Sequence, residues 1–310
     1  MTKPANNPWK VPQPAPPATP RAPRAARYFA LWVAVTATLV VLTRTQPPVS
    51  LIETTGGSAA GGSAAGVSCT NTPTHDTAAL FAAINRAPSG GTVHIAAGTC
   101  ALTRNLPVHS SMTIDGAGRL ATFLVQHART NIFQITAPGV TVENVNLNTA
   151  TYNRGPGRPG SPEPAVLFSA QSHTTIRNVT AEAGSGYGMR LTGPSPCDGY
   201  HTTGTVVDTV TISNSGRGGF AALDIDCTNG AQLRDIDIHG NYVALYQDEN
   251  VSLTNENYTP DAKPCQAPWY ISGPAHNISI AQIQSAGGRG IIKGPVSGIA
   301  ISGATARPSC

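Results

Sequence analysis

The chain is short of charge and short of aromatic rings. Only 12% of its 310 residues are Asp, Glu, Lys or Arg, too few for the charged, helix-forming surface of a helical bundle. Aromatics make up 5%, whereas Gly (32) and Pro (26) are abundant. That balance suits a strand-and-turn protein with small residues at tight corners. The six cysteines, at 69, 100, 197, 227, 265 and 310, include no C-x-x-C pair, which argues against a zinc or dithiol redox site. A basic excess is also missing from the body of the chain. Six of the 20 Lys and Arg residues fall within the first 44, which hold no acid; the rest carries 14 basic against 16 acidic residues, a formal charge of −2. Without a basic surface there is little to attract phosphates, so nucleic acid is not an expected partner.

Three segments precede the main domain. Residues 1–27 are rich in Pro, Ala and Arg, have no periodicity, and read as a disordered cytoplasmic tail. Residues 28–43 are uncharged and flanked by Arg27 and Arg44. They are slightly shorter than the ~20 residues that span a bilayer, and Ala25 and Ala26 extend them if Arg27 snorkels to the interface. With the positive charge ahead of the segment, it reads as a transmembrane signal-anchor that leaves the C-terminal domain outside the cell. A cleaved signal peptide, giving a secreted protein, is the alternative. Residues 44–68 repeat Gly-Gly-Ser-Ala-Ala at 56–60 and 61–65, the composition of a flexible linker. All cysteines follow the apolar segment, so disulfides are expected. Pairing of sequence neighbours gives Cys69–Cys100, Cys197–Cys227 and Cys265–Cys310; buried free thiols are the alternative.

The domain 69–310 opens with His75-Asp-Thr-Ala-Ala-Leu-Phe-Ala-Ala-Ile-Asn-Arg-Ala87, a short amphipathic helix that Asp76 or Thr77 can cap. Ser89-Gly-Gly-Thr-Val-His-Ile-Ala-Ala-Gly98 then reads as a turn and an alternating strand. A six-residue pattern of apolar, x, small polar, apolar, x, apolar or small recurs. It begins at Val142, Ile176, Val207, Leu233, Ile280 and Val296. A second short strand follows most copies: Ala165–Phe168, Gly188–Leu191, Ala222–Ile225, Ala244–Gln247 and Gly290–Lys293. Insertions fall around 151–164, 192–204 and 250–275. Two strands per repeat are what a coil of a β-solenoid requires. A β-sandwich also has many short strands, but aligned strand pairs in repeats of unequal length favour the solenoid. The opening helix and Gly-Gly-Thr-Val strand resemble the N-terminal cap and first coil of the pectate-lyase-like superfamily. That resemblance implies an all-β, right-handed, single-stranded parallel β-helix with a short N-terminal capping helix, here preceded by one transmembrane helix.

Aligning the second strands puts Met189, Leu223 and Leu245 inward. Arg190, Asp224 and Tyr246 then face out in one column, and Thr192, Asp226 and Asp248 in the next. Neighbouring coils are about 4.8 Å apart, so Asp226 and Asp248 are expected together on an exposed face, their pKa values split as an acid/base pair requires. The patch resembles the polygalacturonase family of glycoside hydrolases. Asp224-Ile-Asp226 stands near that family's Asn-Thr-Asp, Gln247-Asp248-Glu249 near its Asp-Asp, and Gly290-Ile-Ile-Lys293 near its Arg-Ile-Lys but without the arginine; its Gly-His-Gly has no counterpart after Asp248. The resemblance implies Asp226, Asp248, Asp224 and Lys293 as catalytic candidates, although Lys293 falls at an inward phase; Arg190, in the outward column beside Asp224, is a further candidate. Tyr246, Trp269 and Tyr270 are candidates for stacking on a sugar. A polar ladder on a solvated face is the bland alternative. A calcium site of Asp224, Asp226, Asp248 and Glu249 is another, with Arg190 as the base of a lyase.

The sequence therefore points to an extracellular, membrane-anchored glycoside hydrolase or polysaccharide lyase whose partner is a polysaccharide or cell-surface glycan. The competing reading is a non-catalytic glycan-binding or scaffold protein.

Overall fold

The computed structural model describes residues 65–305, other than 150–163, 185, 194–196, 198–199, 215–219 and 261–265. The proposed tail, the apolar segment 28–43, most of the linker, Cys265 and Cys310 lie outside the described residues. Among the described residues no helix is long and apolar enough to cross a membrane.

Short β-runs make a solenoid only if the chain turns at the same place in every coil. Here residues with positive φ supply the turns. One set bends the long strands in the middle: Asn144, Asn178, Thr209, Asp235, Asn255 and Gln282, with φ between 49° and 58°. A second set, Cys227, Gln247, Gly273 and Gly294, ends the short strands. A third precedes each long strand and includes Gly139, His173, Gly204, Gly230, Asn250, Asn277 and Gly298. Only Gly adopts this backbone freely; Asn and Asp tolerate it because their short polar side chains bond locally. Here they bond to the same corner of the next coil. Asn178 Nδ2 donates to Asn144 Oδ1 (2.6 Å), Asn277 Nδ2 to Asn250 Oδ1 (3.0 Å), and Asn250 Nδ2 to Asn229 Oδ1 (2.9 Å).

With corners aligned, the strands stack in parallel register. A 12-stranded sheet holds the long strands from Ala65–Val67 to Ala300–Ser302, and an 8-stranded sheet runs from Leu106–Val108 to Ile291–Lys293. Small parallel pairs, Thr202–Thr203 with Thr228–Asn229 and Ala275–His276 with Val296–Ser297, are joined through Glu249 into a third wall. The result is a parallel β-helix. Its interior is a set of apolar columns; one runs Val93, Ile114, Val142, Ile176, Val207, Leu233, Leu253 and Ile280 in unbroken register. Each coil buries its apolar face only against its neighbours, as solenoids do. Coil length varies without disturbing the columns. The equivalent corners Asn144 and Asn178 are 34 residues apart, and Asp235 and Asn255 only 20.

The N-terminal end is closed by the helix Pro73–Arg86, which packs on Gly98–Leu102 and buries Leu80, Ala83 and Ile84. Thr72 is its N-cap, so Asp76 and Thr77 do not cap it. Asp76 instead lies fully buried one turn in. Its carboxylate accepts from Thr70 N (2.9 Å), Thr70 Oγ1 (2.7 Å), Thr72 N (3.1 Å) and Ala101 N (3.1 Å). Burial pushes its pKa up, and these bonds more than reverse that, leaving it below 3.8.

Other sequence expectations change in detail. Among the described residues the first strand is Ala65–Val67, which pairs with Val93–Ile95 and lies inside the stretch read as linker. The copy at Val296 spans a corner: Val296 pairs with Ala275, and the true partner of Ile280 is Ile301. A further long strand, Ser252–Thr259, occupies the supposed insertion at 250–275. Two of the three expected disulfides are present, Cys69–Cys100 and Cys197–Cys227. They are bonds of a protein that matures in an oxidising compartment.

Trp269, a candidate either for stacking on a sugar or for packing its loop down, is 5% exposed and continues the inward column Met189, Leu223, Val243. Gly290 makes room for it: a Cβ there would come within 2.0 Å of the indole. Gly290→Ala should therefore lower stability by roughly 1–3 kcal/mol through overpacking. Denaturant unfolding of the variant, followed by circular dichroism, measures this directly; an unchanged midpoint would place the indole elsewhere.

Candidate functional site

The outward face of the 8-stranded sheet gathers charge and aromatic rings. Its rows follow from register. One row reads Arg190, Asp224, Ala244, Tyr270, Ile291; the next reads Thr192, Asp226, Tyr246, Ser272, Lys293. Alternation of faces alone predicts Leu223 beside Leu245 and hence Asp226 beside Asp248. In the structure Leu223 pairs with Val243 and Asp226 with Tyr246. The slip is two residues, which preserves the inward and outward alternation, so alternation alone cannot detect it.

Asp248 accordingly lies past the left-handed corner at Gln247 and turns into the protein. It is 0% exposed, contrary to the expected surface position. Its Oδ1 accepts from Thr228 N (2.8 Å) and Thr228 Oγ1 (3.0 Å). Its Oδ2 has no partner among the described residues, and burial holds its pKa well above 3.8. Glu249 sits at the third wall, where its Oε2 accepts from Asn229 Nδ2 at 3.1 Å. The four carboxylates suggested for calcium thus do not converge. Among the described residues, the only acidic, His or Cys group compact enough to share an ion is Cys197, Asp226 and Cys227, and its two sulfurs are joined to each other.

Arg190 and Asp224 do meet as expected, Nε to Oδ2 at 3.0 Å. Burial raises the pKa of Asp224, and the Arg190 charge partly opposes this. Asp226 stands two residues further along the same strand, roughly 6.6 Å away at the Cα by strand rise. Its carboxyl is pushed up to about 6, first by partial burial and then by the charge of Asp224; Arg190 and the Cys227 N–H pull the other way. The Cys197–Cys227 disulfide supplies part of that burial. Its sulfurs lie 3.7 and 3.2 Å from Asp226 Oδ1, and it ties the insertion at 192–204 to the end of this strand. Gly193 permits the close approach, since a Cβ there would be 2.5 Å from the Cys227 carbonyl oxygen.

Aromatic rings surround the carboxylates. Tyr246 is 44% exposed beside Asp226. Tyr270 lies 6.0 Å from Tyr242, with the Lys293 ammonium 5.5 Å over its ring. Arg190 lies 5.1 Å over Tyr187, which packs on Phe220 at 4.9 Å. Burial, then the Asp224 charge, raise the pKa of both Tyr187 and Tyr242. Lys293 is outward, not inward: it shares a row with Asp226, three strand spacings away or about 14 Å. Tyr187, Phe220 and Tyr242 were not anticipated. Tyr242 was discoverable, because it precedes Ala244 by two residues and so shares its phase.

No family model matches the chain, and no curated protein matches its sequence. Similar solved structures include ORF18 of Geobacillus virus E2 (TM-score 0.42, 12% identity, 76% of this chain and 60% of that one). Rice weevil pectin methyl esterase is another (0.38, 11%, 74% and 86%). A third is the A-module of the Azotobacter vinelandii mannuronan C-5 epimerase AlgE6 (0.33, 14%, 75% and 95%). The chain spans 60% of the length of the viral protein. The fold assignment itself rests on the strand pairing described above.

The electrostatics can be checked one group at a time. In a 13C carboxyl NMR titration Asp226 should titrate near 6. Asp224→Asn removes a neighbouring negative charge, so the Asp226 midpoint should fall. A midpoint that stays put or rises would show that Asp224 does not act on Asp226.

Proposed function

We propose that the outward face of the 8-stranded sheet binds and cleaves an extracellular polysaccharide, with Asp226 as the proton-transferring carboxyl. The observation that carries this reading is the environment of Asp226. Its carboxyl is pushed up to about 6, and it remains partly open to solvent beside Tyr246. A carboxyl near that value can hold a proton at the working pH and give it to the departing sugar oxygen, while water adds to the anomeric carbon that this oxygen leaves. Its neighbour Asp224 is committed to Arg190, so the two carboxyls have different environments, as paired acids in glycoside hydrolysis do. The exposed ring of Tyr246 and the half-buried ring of Tyr270 suit the apolar faces of sugars. A glycoside hydrolase is therefore favoured over a lyase: Arg190 is held in an ion pair, and the calcium ligands do not assemble. The apolar segment 28–43 would anchor this domain at the outer face of the membrane.

The test is turnover on a polysaccharide panel, reading reducing ends and the absorbance of unsaturated sugars. The wild type should release reducing ends without unsaturated product, and its rate should fall as pH rises through about 6, because a general acid must enter the step protonated. Asp226→Asn should lower the rate by roughly 10²–10⁴-fold. Full activity in that variant would remove Asp226 from the mechanism. Chelator-sensitive unsaturated product would select a lyase, and binding without turnover would leave a glycan-binding surface.

A further inference from the structure

One interior position breaks the apolar pattern. The column Val145, Val179, Val210, Ile236 continues through Glu256 to Ile283, each residue in parallel register with the next. Glu256 is 0% exposed, and neither carboxyl oxygen has a hydrogen-bond partner among the described residues. A carboxylate stripped of water and given no donor in exchange is not sustained, so the group is held as the neutral acid. Burial alone accounts for the rise of its pKa from 4.5 to about 8.

The surroundings offer no compensating charge. On Gln232–His239, Asp235 and Asp237 flank Ile236 on the outer side, and Asp237 lies 3.2 Å from His239 Nε2. On Ser279–Ser285 the flanking residues are Gln282 and Gln284, both exposed. The inward residues of the opposite wall at this level are Val243, Leu245, Trp269 and Ile271. The other buried acid of the last coils, Asp248, is bonded to Thr228. None of these groups contributes to the shift at Glu256.

The position in the solenoid matters as much as the burial. Among the described residues two further strands of the 12-stranded sheet follow Ser252–Thr259, namely Ser279–Ser285 and Ala300–Ser302, and in this region Ile292 (40%) and Ile301 (44%) are exposed. In a solenoid each coil contacts only its neighbours, so a few coils can open while the rest stay folded.

We infer that Glu256 is a pH-operated release point for the C-terminal coils. Its proton keeps the strands Ser252–Thr259, Ser279–Ser285 and Ala300–Ser302 stacked on Gln232–His239, and loss of that proton lets them peel away. These coils carry Tyr270 and Lys293, so opening dismantles one end of the tyrosine-lined face, whatever that face binds. The direction follows from linkage. The stacked state keeps the Glu256 proton up to about 8, whereas the opened chain gives it up near 4.5. The stacked state therefore loses stability as pH rises between those values, and its stability is level on either side.

Hydrogen exchange on the full chain, converted to protection factors from pH 5 to 9, tests this. In the wild type, protection across 252–305 should fall about tenfold per pH unit up to about pH 8 and then level off. The strands from Thr141 to Asn214 should keep theirs. Glu256→Leu and the isosteric Glu256→Gln cannot ionise and should both abolish the slope, which separates ionisation from packing. The same slope in both variants would overturn the inference. So would a wild-type loss shared equally by all coils.

Discussion

Everything in this molecule depends on the coils staying in register at their corners. A parallel β-helix has no local hairpins to fix which residue faces which. The left-handed residues do that work instead, because each column of positive φ turns the chain at an equivalent place whatever the length of the loop between. The asparagine ladders across Asn144, Asn178, Asn229, Asn250 and Asn277 join successive corners by side-chain bonds. Interior apolar columns, outer rows and the third wall all follow from that alignment.

The candidate site is a consequence of the same register. Arg190 meets Asp224 because their strands pair residue for residue. Asp226 meets Tyr246 because the next coil continues that pairing and then turns at Gln247. The turn decides the fate of two carboxylates. Asp226, just before its corner, stays on the outer face. Asp248, just after the equivalent corner, goes inside and holds Thr228. The Cys197–Cys227 bond adds the last constraint by covering one side of Asp226, which is part of why its carboxyl is hard to ionise.

The sequence revealed the architecture more readily than the site. The long strands from Val142 to Leu233 were legible because aliphatic residues occupy the inward positions of each copy. Ser252–Thr259 was not, because Glu256 fills an inward position and breaks the pattern at the place that makes the coil unusual. Periodicity reports faces, and a slip of two residues leaves faces unchanged. That is why Arg190 with Asp224 could be read from the chain while Asp226 with Asp248 was misread. Trp269 was misplaced for a related reason: its strand lies in a Pro-flanked stretch that reads as a loop, and only Gly290 in the next coil explains how an indole fits inside. Tyr187 lies at the margin of its short strand, where alternation gives its weakest signal.

The most direct measurement is a crystal structure of the domain with oligosaccharides from the polysaccharide that it binds. The account predicts a sugar chain along the outer face of the 8-stranded sheet, with a glycosidic oxygen at hydrogen-bond distance from Asp226 and rings against Tyr246 and Tyr270. Density for the sugar on the 12-stranded sheet or at the third wall, with Asp226 uncontacted, would contradict it.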